Sequence, residues 1–355
     1  VIPALTAEEI PKFREQVGRY IARYETEWHQ ADPNSPFRLL DPTGFKNVHP
    51  SLRVPWHQFI KDNRFELINK ALMSLLGGSG FAYRSTNETQ AAFIVRMVSP
   101  DFLRKVGGDQ LQVFDGNGYQ ELWIKLAEEF QSKGVQFFYN TEVQKIKRSA
   151  KVTKVFVKNR ILALRANHVF FTADLSYLPN LLKDICESEK KVLSQIDHSD
   201  YRSYLVDIRG IKGLDGRALS FGLMPNIDGI VDDKTGELTD VFGRPVLSVK
   251  RYADSGLTAV FVHGNTNISE QEITKNIETD FAKMGATFVK VVAARRWLYF
   301  PRPKGDVQDF YRGTLDMQGR GGLWMLGEAL SFTTTHSVFD HAEEYVNLIV
   351  NNNLN

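Results

Sequence analysis

One stretch near the end of the chain constrains the fold more than any other. Leu323-Trp324-Met325-Leu326 reads as a short strand and runs into Gly327-Glu328. The polar turn Thr333-Thr334-Thr335-His336-Ser337 follows, then a helix from about Val338. The first backbone N–H groups of a helix lack intrahelical partners and carry the positive end of its dipole. Strand, Gly-Glu, turn and helix N-terminus together make a place for an anionic or hydrogen-bonding ring or phosphate, with Ser337 or Thr335 able to cap the helix. Any α/β domain can also end in this way, so the weight of the segment depends on what precedes it.

Upstream, helical periodicity dominates the first quarter. An amphipathic segment runs from Ala7 to about Trp28, with Phe13, Val17, Tyr20, Ile21 and Tyr24 on one face. The Asp32–Pro36 run breaks it, a second helical stretch spans about Pro55 to Leu76, and a third spans Glu88 to Val98. From Leu111 the pattern becomes α/β. A strand at Leu111–Phe114, a helix at Glu121–Gln131 and a buried strand at Val135–Tyr139 precede three alternating strands, Val143–Arg148, Lys154–Lys158 and Ile161–Ala166. A further buried strand follows at His168–Thr172. Period-two alternation over 200–265, with turn signals at Leu214-Asp215-Gly216 and Asp233–Gly236, predicts an antiparallel sheet. A helix capped by Ser269, a strand at Val289–Trp297 and a loop at Pro301–Asp306 lead back to the closing unit.

A chain that leaves an α/β region and returns to it late predicts two interleaved units. The expected class is α/β (α+β), an α/β unit interleaved with a second unit of antiparallel sheet plus helices. The parts are 1–110 (helical part of the second unit), 111–185 (middle part of the α/β unit), 186–295 (antiparallel sheet of the second unit) and 296–355 (C-terminal part of the α/β unit).

Composition excludes several classes. Net charge is +2 with both signs interspersed, which gives no electrostatic footprint for nucleic acid. No apolar run reaches the roughly eighteen residues of a membrane span. Cys186 is the single cysteine, so no intramolecular disulfide forms, and it reads as a structural residue without an activating partner. The histidines show no HExxH spacing and no metal site is expected. The sequence assigns no compartment.

The nearest dinucleotide fingerprint is Asp115-Gly116-Asn117-Gly118-Tyr119-Gln120-Glu121, with Glu142 at about the distance of a ribose-binding acid. Glu121 stands where the third glycine belongs and would bring a carboxylate to the pyrophosphate. Gly116 and Gly118 therefore read as a tight strand-to-helix turn.

With these pieces in place the chain resembles the flavin-containing amine oxidase superfamily over nearly its whole length. The resemblance is carried by Thr141–Ile146, the three-strand meander, His168–Ala173, Arg296–Pro301 and Leu326–Ala329. Trp297–Pro301 and the run from Met317 through Phe332 are similar to the branch that holds polyenoic fatty acid isomerase and cyclopiazonate dehydrogenase. The resemblance implies that the α/β unit is an incomplete Rossmann-like FAD-binding domain and the other the substrate domain, with FAD as cofactor, the Val143 backbone at adenine and Gly327 and Glu328 at the ribityl and pyrophosphate region. It also implies that the amides of Ser337 and Val338 face the flavin pyrimidine, and that Trp297 stands near the flavin beside the substrate. No catalytic side chain is assigned, because the hydride chemistry belongs to the flavin.

Apolar and aromatic residues of the helical region offer a lining for a lipophilic substrate; Phe81, Tyr83, Phe93 and Tyr299 are the expected ones. Arg84 and Arg96 read as surface residues, with a substrate carboxylate as the alternative partner. Two departures from the family stand out. Its opening βαβ unit with GxGxxG has no match here, which implies a second polypeptide, or another source, for that part of the cradle. The family's amine oxidases also carry a lysine on the first strand after the meander, and Ser203 aligns there. The expected function is an FAD-dependent oxidoreductase or redox-neutral double-bond isomerase, working by hydride transfer on a hydrophobic, fatty-acid-like substrate. The alternatives are a flavin amine oxidase and a non-catalytic structural or interaction subunit that has lost FAD binding.

Overall fold

In the computed structural model, residues 5–28, 48–78, 89–100, 102–103, 119–150, 152–211, 220–221, 242–250, 256–264, 267–331 and 335–351 are described. The first helical segment forms α1 (Glu9–Arg23), which widens into a π turn over Tyr24–Trp28. Its apolar face delivers Tyr20 and Trp28 to an edge-to-face cluster with Phe59 and Phe65. The stretch read as one helix near Pro55–Leu76 is two, α2 (Trp56–Asn63) and α3 (Glu66–Gly78). Arg64 takes a left-handed conformation (φ 55°) between them, so α2 ends and the chain turns. Trp56 is fully buried, and its indole N–H donates to Asn69 Oδ1 at 2.7 Å, which ties α2 to α3. Next come α4 (Ala91–Met97) and α5 (Tyr119–Ser132).

A three-stranded meander follows, β1 (Val143–Lys147), β2 (Thr153–Val157) and β3 (Leu164–Ala166), in antiparallel order. The expected buried strand at Val135–Tyr139 is absent, and Val135, Phe138 and Tyr139 are exposed. Apolar run length read it as a strand, but a strand needs a hydrogen-bonding neighbour, and among the described residues none lies beside it. The expected strand at 111–114 and the glycines at 116 and 118 lie outside the described residues.

The chain's late return is direct. β4 (Val169–Phe171) pairs in parallel with β10 (Leu323–Met325), register Leu323↔Val169 through Met325↔Phe171. Between them lie the short α6 (Leu178–Leu181), α7 (Glu187–Leu193) and a five-stranded antiparallel sheet in the order β6-β7-β8-β5-β9. The strands are β5 (Ile196–Arg209), β6 (Ser220–Phe221), β7 (Pro245–Lys250), β8 (Leu257–His263) and β9 (Phe288–Pro303). The helix α8 (Glu270–Lys283) covers one face of this sheet, and Ser269 caps it by accepting the Glu272 N–H at 3.1 Å. Pro301-Arg302-Pro303, read as loop, continues β9; an edge strand tolerates prolines because one side of its backbone has no ladder partner. Asp306 then caps α9 (Val307–Met317), which sequence patterning had not separated from the loop. The closing helices are α10 (Glu328–Ser331) and α11 (Thr335–Asn351).

Two hydrophobic cores organise these elements. The larger runs from Tyr20 and Trp56 through Phe93, Ile146, Leu178 and Phe310 to Leu330. The smaller packs Tyr204, Val206, Val260 and Val262 of the sheet against Ile273, Ile277 and Phe281 of α8. Arg96, read as a surface residue, is buried, its guanidinium 5.6 Å from the Tyr311 ring.

Two buried titratable groups make the fold acid-sensitive. Bonds from Arg148 above all, and from the Cys186 amide, hold the Glu189 carboxyl down at about 2 against the effect of burial. Burial first, and then Arg96, push His341 down to about 3. Both groups bind fewer protons folded than unfolded, so stability falls as pH drops. The His341 window runs from its ordinary 6.5 down to about 3. The Glu189 window runs from 4.5 down to about 2. The thermal midpoint should therefore decline on acidification, with His341→Phe flattening the upper part of the slope and Glu189→Gln the lower. A midpoint independent of pH across these windows would refute this.

Candidate functional site

The site grows from the parallel β4/β10 pair. Ligands in α/β sheets gather beyond the carboxyl ends of parallel strands, where chain and helices diverge. Here those ends are Thr172-Ala173-Asp174 after β4 and Leu326-Gly327-Glu328 after β10. The Leu326 N–H donates to the Phe171 carbonyl at 2.9 Å and holds the two exits side by side. Gly327 has φ +121°, and a Cβ there would stand 3.4 Å from the Thr172 carbonyl oxygen, so this position calls for glycine.

Two cavities open at these ends. The first, about 610 Å³, is walled by Asp174, Tyr299, Gly327, Glu328, Val338 and Phe339, among others. The second, about 450 Å³, is walled by Val143, Ile146, Val169, Phe170 and Tyr177, among others. They share Thr172 and Ala173 as wall residues and so adjoin across the end of β4, and together they are called the trough. The first half offers carboxyls and a helix end; the second is mostly apolar.

The trough gathers most of the cofactor residues expected from sequence. Gly327, Glu328 and Val338 meet in the first cavity, and Val143 stands in the second. The closing helix begins at Thr335, earlier than expected, which leaves the backbone of Ser337 and Val338 within its first turn, and Thr335 and Val338 line the first cavity. Tyr299, expected at the substrate, lines the same cavity. Trp297 lies two residues back along β9, outside both cavity walls; its Nε1 donates to Ser203 Oγ at 2.9 Å, and Arg295 lies 5.5 Å from the ring. Phe93 lines neither cavity; it is packed in the larger core, because α4 turns its apolar side to α2 and the aromatic cluster. Phe81 and Tyr83 lie outside the described residues.

Sequence reasoning passed over Asp174 and His198. His198 Nε2 lies 2.5 Å from Asp174 Oδ2, and Asp174 Oδ1 accepts the Ser176 N–H at 2.9 Å. Burial raises the Asp174 carboxyl, but the bonds from His198 and Ser176 outweigh it and hold the group below its ordinary range. Glu328 goes the other way, pushed up by burial and then by Asp174, with His198 opposing. The only local signal for Asp174 was its place at the end of a buried strand, which reads equally well as a turn cap. The rejected fingerprint acids behave as surface residues: Glu121 pairs with Lys125 at 2.7 Å, and Glu142 with Lys158 at 3.1 Å.

Above the first cavity, aromatic side chains cross the sheet. Tyr201 of β5 stacks on Phe261 of β8 at 5.6 Å and on Tyr299 of β9 at 6.2 Å. Opposite His198, the β5/β9 register shifts between Asp197↔Arg302 and Ser199↔Tyr299, a bulge that sets Phe300 and Pro301 against one residue. Phe300 is buried with φ 54°, an unusual conformation for a bulky side chain and one that tends to mark functional sites.

The family model for flavin containing amine oxidoreductases matches residues 5–342. The chain belongs to this family. Membership places it among flavin-containing oxidoreductases. No curated protein sequence matches it. Among solved structures, the CLA-producing fatty acid isomerase from P. acnes is similar over 98% of this chain and 76% of its own, at 17% identity and a TM-score of 0.76. Putrescine oxidase bound to putrescine is similar over 98% of this chain and 77% of its own, at 13% identity and a TM-score of 0.58. Cyclohexylamine oxidase from Brevibacterium oxydans IH-35A covers 99% and 77%, at 11% identity and a TM-score of 0.56. Identities this low establish the shared fold alone. Among the described residues no group of three or more His, Cys, Asp or Glu is placed to hold a metal ion, and no helix is long and apolar enough to cross a membrane.

Proposed function

We propose that this chain binds FAD along the β4/β10 trough and serves a flavin-dependent enzyme acting on a hydrophobic substrate, by redox-neutral isomerisation or by oxidation. The observation that carries the reading is the trough itself: two cavities that adjoin at Thr172 and Ala173, with Glu328 and the first turn of α11 at one end and an apolar wall beside Val143 at the other. A dinucleotide has the same polarity, with an apolar-faced adenine at one end and a hydrogen-bonding, electron-accepting ring at the other. When bound, FAD supplies hydride acceptance and return. The chain's own residues supply shape and electrostatics. The α11 N-terminus favours negative charge beside it, and the Tyr201–Phe261–Tyr299 ladder gives an apolar, water-excluding face for the substrate.

An amine oxidase is the less favoured reading. No lysine occurs in β5, and Ser203, at the position where a lysine would stand, is bonded to Trp297 instead. The fatty acid isomerase neighbour supports a fatty-acid-like substrate for this chain. Anaerobic incubation of the flavin-loaded protein with a polyunsaturated fatty acid should give conjugated product without any acceptor. Oxygen uptake with a diamine, and no change in the fatty acid, would overturn this choice.

The exposed apolar residues Val135, Phe138, Tyr139, Trp123 and Phe170 are the surface on which we place the family's βαβ unit, whichever polypeptide carries it. The contacts this chain offers FAD are few, and net hydrogen bonds at about 0.5–1.5 kcal/mol each do not readily offset the cost of fixing a dinucleotide. Calorimetric titration of FAD into the 355-residue chain alone should therefore show weak binding. Tight stoichiometric binding there would remove the need for the second unit, and an absent flavin band near about 450 nm in the complete protein would favour a non-catalytic subunit.

A further inference from the structure

The Asp174–His198 bond joins two parts of the fold that meet nowhere in the sequence. Asp174 stands three residues past β4, and its Oδ1 caps the turn at Leu175–Tyr177 through the Ser176 amide. Its Oδ2 takes His198, from the start of β5, at the point where the β5/β9 bulge bends the pair. Both side chains are largely buried, with 13% of the histidine and 21% of the aspartate exposed. One carboxylate is thus gripped by a turn on one oxygen and by a strand on the other.

That turn forms part of the wall of the first cavity, and Glu328 lines the same cavity. Two carboxyl groups facing one cavity repel each other, and any anionic ligand, unless one is neutral and the other is countered. The environments separate them. His198 and Ser176 hold Asp174 below its ordinary range after burial has opposed them, while burial and then Asp174 push Glu328 above its ordinary range. An ionised carboxylate only accepts hydrogen bonds, so His198 Nε2 carries the proton in its bond to Asp174.

We propose that His198 is a positioning residue of the cofactor trough: by donating to Asp174 it pins the turn after β4 to the sheet and so fixes the wall of the cavity that Glu328 also lines. The proposal rests on the reading of the trough as the FAD site. His198 acts through Asp174; among the cavity's wall residues it is absent, whereas Asp174 and Glu328 are both present. Without the imidazole, Asp174 keeps only the Ser176 amide, its charge loses a partner, and the turn that walls the cavity is no longer tied to β5.

The test measures the FAD dissociation constant of the complete protein by fluorescence titration, with the thermal midpoint of each variant recorded beside it. His198→Ala should weaken FAD by about 10-fold or more, the loss expected for a hydrogen bond to a charged group. Asp174→Asn should weaken it similarly, although asparagine keeps an oxygen for the Ser176 cap; a role confined to the turn predicts no change. His198→Gln, which retains an N–H donor at similar reach, should recover binding to within roughly 3-fold of the parent. Parental affinity in His198→Ala or Asp174→Asn overturns the proposal, as does a His198→Gln variant no better than His198→Ala. A parent protein that takes up no FAD overturns the trough reading itself, and the two failures are told apart by that control.

Discussion

Glu328→Ala is expected to cost the complete protein most of its bound FAD, while Glu142→Ala leaves retention close to the parent. Glu328 stands in the wall of the first cavity, at the exit of β10, where burial and then Asp174 push its carboxyl above the ordinary range. Removing a buried, charge-linked hydrogen-bonding group costs about 1.5–3 kcal/mol, or roughly 10–100-fold in affinity. Glu142 is exposed and paired with Lys158 at 3.1 Å, and such surface pairs are worth about 0–1 kcal/mol. Equilibrium dialysis of FAD against the two variants gives the comparison. Equal losses would restore Glu142 as a ribose-binding acid and Gly116-Asn117-Gly118 as a dinucleotide fingerprint.

The second large effect is on stability. Gly322→Ala should destabilise the fold more than any conservative surface change. Gly322 has φ +79°, and a Cβ there would lie 2.0 Å from the Asn167 carbonyl oxygen, a backbone atom that cannot swing aside. A left-handed conformation costs a residue with a Cβ about 1–2 kcal/mol, and forced overpacking adds about 1–3 kcal/mol. The turn feeds β10 directly, so the strain falls on the parallel pair that founds the site. A fall of on the order of 5–10 °C in thermal midpoint is expected. A midpoint within about 2 °C of the parent would show that the turn relaxes freely.

Much of this fold is legible from local pattern. The amphipathic face of α1, the Ser269 cap and the Gly327-Glu328 exit are set by residues within a few positions of one another, and each lies where the sequence puts it. Misreadings arise where a distant partner decides. Val135–Tyr139 has the apolar content of a strand, but pairing is not written in its own residues. Phe93 shows the limit of composition: an aromatic on a helix reads the same whether it fills a core or lines a cavity, and only the position of α2 settles which. Asp174 and His198 are 24 residues apart and become a pair only when β5 folds back over the end of β4. Arg96 is a similar case, since a charge on a short helix gives no hint that α9 will cover it with Tyr311.

The bulge at Phe300 also bears on how faithfully the sheet assembles. Among the described residues β9 hydrogen-bonds to β5 alone, over a long ladder, and such an edge is free to slide by one position during folding. A slip of one residue would invert every side chain on β9 and turn Tyr299 away from the Tyr201 ring on which it stacks. The bulge gives the ladder an asymmetric landmark: only one alignment sets Phe300 and Pro301 against His198. The left-handed phenylalanine thus works as a ratchet tooth for strand alignment, and the face that carries the Tyr201–Tyr299 stack is chosen when the chain folds, before any ligand arrives.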